Sequence, residues 1–104
     1  MTDPRWTVLR EMQPALLEAF QEQGVVRIEY VTAFPSQDHA WVWLGTSTDT
    51  QRDALASRET QALLEVRRIA EVHGFPSEKV SGVVAQSEET VAREYAGSWF
   101  YALR

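Results

Sequence analysis

Two short runs restrict the fold of this chain more than anything else in it. VVRIEYVTAF, residues 25–34, and HAWVWLGT, residues 39–46, are separated only by the turn-like FPSQD. Both are rich in β-branched and aromatic residues, which predicts two strands. Pro35 suits the second position of a turn between them, so the expectation is a hairpin. A strand sends alternate side chains to opposite faces. Each run therefore has to satisfy two environments at once, and the rest of the chain has to supply them.

The segment before the hairpin, DPRWTVLREMQPALLEAFQEQ, reads as helical over residues 3–23. Asp3 can cap it, Pro4 suits its first position, and Trp6, Leu9, Leu16 and Phe20 share a face. Pro14 lacks the donor that would reach Arg10, which predicts a kink or two short helices. Gly24 ends the segment. After the hairpin, Thr48 and Gln51 have capping-box spacing. A helical pattern then runs from about residue 49 to 73, closed by Gly74 and Pro76, with SRET (57–60) as a point of interruption. Leu55, Ala62, Val66, Ile69 and His73 form its apolar face. KVSGVVAQ, residues 79–86, predicts a third strand. Ser87 can cap a short helix, EETVAREYA, that stops at Gly97, and SWFYALR is expected to close the chain as a fourth strand.

The expected fold class is thus α+β: a single domain over residues 1–104 in two layers. A small four-stranded sheet carries helices on one face, in the order α-β-β-α-β-α-β. FPS occurs at 34–36 and again at 75–77, and Arg52-Asp53 matches Arg93-Glu94 at the same offset. Recurrence of favoured Pro-Ser turns and caps accounts for this without a duplicated unit.

Composition excludes several classes of function. The chain is 44% hydrophobic and 24% charged, as expected of a folded domain. Its net charge is −5, with acids spread throughout and Arg67-Arg68 the only adjacent basic pair. Such a surface is repelled by phosphate backbones, which argues against nucleic acid and anionic membrane as partners. The absence of cysteine removes disulfides, thiolate metal sites and thiol nucleophiles. Apolar runs are too short for a membrane helix, and MTDPRWTVLREM has no leader pattern, so a cytoplasmic location is expected.

Alternation then locates a candidate site. Ala40, Val42 and Leu44 point one way in the second strand, while His39, Trp41 and Trp43 point the other. In the first strand Val26, Ile28, Tyr30 and Phe34 oppose Arg27, Glu29, Val31 and Ala33. The apolar sets belong under the helices. The second face then carries Arg27, Glu29, His39, Trp41 and Trp43, with part of Ser98, Phe100 and Ala102. Two tryptophans are unusual on a solvated face, and Arg, Glu and His are unusual in a core. Three arrangements fit such a mixture: a core with the smaller residues turned outward, an interface for a partner or second copy, or a small-ligand pocket.

No standard catalytic or metal motif is present. H-E-x-x-H, G-x-S-x-G and the glycine-rich phosphate and dinucleotide fingerprints are all missing. No cofactor is expected. The best chemical candidate is Glu29 holding His39 as a general acid or base, with Arg27 near a developing anion. Cross-strand salt bridging explains the same residues more simply. The leading expectation is therefore a non-catalytic, protein-interaction or regulatory module docking through the Trp41/Trp43 face. An acidic inhibitor or immunity-type protein that neutralises a basic partner would suit the charge. The alternative is a small-molecule binder or minor enzyme using Glu29, His39 and Arg27.

Overall fold

The computed structural model describes residues 3–103 and shows an α+β fold built on one sheet. Helix α1 (Pro4–Ala19) leads into strands β1 (Val25–Thr32) and β2 (Ala40–Thr46). Helices α2 (Asp49–Ala56) and α3 (Glu59–Val72) follow, then β3 (Val80–Ser87), α4 (Glu88–Glu94) and α5 (Trp99–Ala102). The sheet has three strands in the order β1-β2-β3, with β1 antiparallel and β3 parallel to β2. The expected fourth strand is instead a one-turn helix. Ser98 caps it by accepting from the Tyr101 N–H at 3.4 Å, which turns Trp99 and Ala102 inward and Phe100 and Tyr101 outward.

Helix α1 passes through Pro14 as one element, where a kink or a break was expected. Pro14 and Arg10 both lie on the exposed side, so the carbonyl that loses its partner faces water. Asp3 caps this helix, accepting from the Arg5 N–H at 2.9 Å. The long helix expected after the hairpin divides at Ser57–Arg58, within SRET, and Thr48 opens α2 with the reciprocal capping box.

One layer of the core is the helix-facing side of the sheet. Ile28, Ala40, Val42, Leu44, Val80 and Val83 meet Leu9, Met12, Leu16, Leu55, Ala62, Val66 and Ile69. The first strand departs from simple alternation. The β1–β2 register moves from Val25↔Thr46 to Arg27↔Gly45, which leaves Val26 in a bulge. Val25 is consequently buried and Val26, expected inside, is 56% exposed.

The 41-residue offset seen in the sequence recurs in space. From Trp41↔Gly82 to Thr46↔Ser87, β2 and β3 pair at that same offset, and each strand ends in a capped helix. Leu44 is 1% exposed at the centre of the layer. Leu44→Ala should cost about 2–5 kcal/mol, as large-to-small core changes do, whereas Val26→Ala should cost less than about 0.5 kcal/mol. Urea unfolding of the two variants measures both.

Candidate functional site

The second face of the sheet is made of three rows. Val31, Trp41 and Gly82 lie side by side; then Glu29, Trp43 and Val84; then Arg27, Gly45 and Gln86. This face is covered at one end only. Helix α5 lies over the Gly45 row, where a Cβ on Gly45 would come within 3.0 Å of the Trp99 ring. Val91, Trp99 and Ala102 form a small second core there, with Trp43 and Leu103 packed against it.

Arg27 ties this covered end together. Its guanidinium sits 5.1 Å from the Trp99 ring centre, Nη1 donates to Glu29 and Nε to Glu88, each at 3.0 Å. Glu88 also accepts from the Trp99 indole N–H at 3.0 Å. Burial works against the Arg27 charge, but Glu88 and Glu29 together outweigh it and raise its pKa. Arg27, Glu29 and Trp43 are therefore brought together as supports of α5.

The other end is open. Trp41 is 42% exposed, and Val31, opposite it in the ladder, is 37% exposed. The Trp41 ring lies across Gly82, where an added Cβ would meet it at 2.5 Å. No side chain but hydrogen fits beneath the indole.

His39 does not join this group. It precedes β2, and the ladder begins at Thr32↔Ala40, so Glu29 faces Trp43 instead. Four residues separate His39 from Trp43, which is about 13 Å along a strand. The expected Glu29–His39 pair does not form, because the seven residues 33–39 are taken up by the connection and not by the ladder. His39 Nδ1 is 3.6 Å from an Asp38 oxygen. Lys79 donates to Asp38 at 2.7 Å and is the main cause of the lowered Asp38 pKa.

A second polar cluster was not legible in the sequence. At the carboxyl ends of β2 and β3, Asp49 accepts from the hydroxyls of Ser87 and Thr90, the latter at 2.7 Å, and from Arg93 at 3.2 Å. Arg52 donates to Thr90 at 2.7 Å and to Gln86 at 3.3 Å. The Asp49 carboxylate is saturated by its own chain, so the cluster joins two strand ends to two helix starts. The capping residue Ser87 was visible; its partner across the parallel ladder was not. Among the described residues, no group of three or more His, Cys, Asp or Glu is placed to hold a metal ion. None of their helices is long and apolar enough to cross a membrane. No protein-family model matches the chain, and no match was found among curated proteins or solved structures.

The Ser87 and Thr90 hydroxyls, followed by Arg93, hold the Asp49 carboxyl at about 2, below its ordinary 3.8. A depressed carboxylate stabilises the fold above its unfolded pKa, and that contribution is lost as pH falls from about 4 toward 2. Asp49→Asn should therefore lower stability at pH 5 and flatten the acid limb. Urea midpoints measured from pH 5 to pH 2 would show no such convergence with wild type if Asp49 were unimportant.

Proposed function

We propose that this chain is a non-catalytic interaction module that docks another polypeptide surface through the Trp41 end of its second sheet face. The observation that carries this reading is the contrast between two neighbouring tryptophans on one strand. Trp43 is packed beneath α5, while Trp41, two residues away, holds a large part of its indole in solvent. A tryptophan is among the most costly side chains to leave exposed and among the most frequent anchors of protein interfaces. It is held flat on a glycine by a central strand, so little side-chain freedom remains to be lost on contact.

Two further observations support the reading. On this face Arg27 is engaged with Glu29 and Glu88, and beside it Lys79 is paired with Asp38. The net charge of −5 disfavours a nucleic-acid occupant.

Trp41→Ala should leave the circular dichroism unchanged, destabilise the fold less than Leu44→Ala and weaken association about tenfold or more. A photo-crosslinking residue in place of Trp41 should yield a defined polypeptide adduct in the cells that make the protein. The same residue in place of Leu64, a 63% exposed side chain on α3, serves as the comparison. Equal labelling at both positions, or none at 41, would sink the reading.

A further inference from the structure

The open part of the second face is too small to hold a partner by itself. Trp41 at 42% exposure presents about 100 Å², and Val31 at 37% presents less. A standard interface takes about 800 Å² from each partner, somewhat more than half of it apolar. The next row of the same face, with Trp43, is covered by α5. How that cover is attached bears on what the face can bind.

Three features mark α5 as a removable piece. First, it is joined through a strained turn. Ala96 (φ 53°) and Gly97 (φ 78°) are both left-handed, a conformation that glycine accepts and a residue with a Cβ resists. Residues 92–97 are all exposed, so the chain can turn there without unpacking a core. Such a turn breaks two hydrogen bonds of 2.9 Å, from the Gly97 N–H to the Val91 carbonyl and from the Ser98 N–H to the Tyr95 carbonyl. Second, α5 has a core of its own. Among the described residues, Trp99 and Ala102 cluster with Val91, Trp43 and Leu103, apart from the main core between sheet and helices. Third, its polar latch stays compensated whether α5 is shut or lifted. Trp99 donates its indole N–H to Glu88 at 3.0 Å and lies 5.1 Å from the Arg27 guanidinium. Arg27 is also paired with Glu88 and Glu29, each at 3.0 Å, so no charge is stranded when Trp99 leaves.

We propose that α5 is a strap that swings out about Ala96–Gly97 as a partner polypeptide docks, baring Trp43 and the seat over Gly45. The proposal rests on the reading of Trp41 as a contact anchor and extends the contact to both tryptophans. It also gives the partner's chemistry. The seat that Trp99 vacates is floored by Gly45 and flanked by Arg27 and Glu88. It takes a flat ring beside the guanidinium whose N–H or O–H reaches the carboxylate, so the partner supplies a tryptophan or tyrosine. One ring then replaces another on the same seat, and release of the strain at Ala96 favours the exchange.

Hinge variants test this, because they act on α5 from outside the contact surface. Ala96→Gly removes the strain and should favour the shut strap, whereas Ala96→Val increases it and should favour the open one. Hydrogen exchange reads the strap through the Ala102 and Leu103 amides, which donate to Ser98 and Trp99. In wild type these should exchange at least roughly tenfold faster than the Val42 and Leu44 amides of β2. Their rate should fall about threefold in Ala96→Gly and rise about threefold in Ala96→Val. The photo-crosslinking residue at position 41, combined with each hinge variant, reads docking in the cells that make the protein. Its polypeptide adduct should fall and rise by the same factors. If circular dichroism shows Ala96→Val unfolded, Ala96→Gly decides alone. Strap amides that exchange no faster than those of β2 would overturn the strap. So would adduct yields that ignore the hinge variants, and the Trp41 reading would survive that result. No adduct at 41 in any variant would remove the Trp41 reading, and the docking role of the strap with it.

Discussion

Strand β2 is hydrogen-bonded on both sides, and the rest of the molecule follows from that position. Its alternate side chains must enter two unlike environments. Ala40, Val42 and Leu44 are nearly fully buried beneath the three longest helices. Trp41, Trp43 and Gly45 point the other way, where the one-turn α5 arrives together with Glu88 and Val91 of α4. Glycine decides how large rings fit on that face. Gly45 leaves room for Trp99, and Gly82 on the neighbouring strand leaves room for Trp41. A methyl group at either place would displace an indole.

Charge is used in this molecule mainly to join elements. Arg27 connects β1 to α4 through Glu88, and Asp49 connects the start of α2 to the hydroxyls that open α4. Lys79 and Asp38 connect the approach to β3 with the approach to β2. Partly exposed pairs of this kind contribute little individually. Their effect is to fix where two helices begin at the ends of parallel strands.

Several elements were legible from local rules because their signals are local. The Asp3 cap, the Thr48–Gln51 capping box, the Ser87 cap and the β2 alternation each depend on residues within one turn or one strand. The failures share a different cause. SWFYALR alternates well enough for a strand, yet Ser98 starts a helical turn that sends Trp99 and Ala102 into the second core. Val26 obeys the alternation in sequence and breaks it in space, because one extra residue in β1 is absorbed at the Gly45 approach. The Glu29–His39 pair assumed that pairing continued to the turn, whereas the connection consumes seven residues.

The sequence by itself determined the α+β class, the capped helix starts at Asp3, Thr48 and Ser87, and the two rows into which the β2 side chains divide. These follow from periodicity and capping, which act over a few residues. Only the tertiary structure decided that Trp43 is covered and Trp41 is not. It also decided that Asp49 meets Ser87 and Thr90, and that Arg67 of α3 reaches the Val80 carbonyl on the edge strand β3. Those outcomes depend on which segments, dozens of residues apart, compete for the same surface. Packing settles that competition through shape and available volume, and no local pattern encodes it.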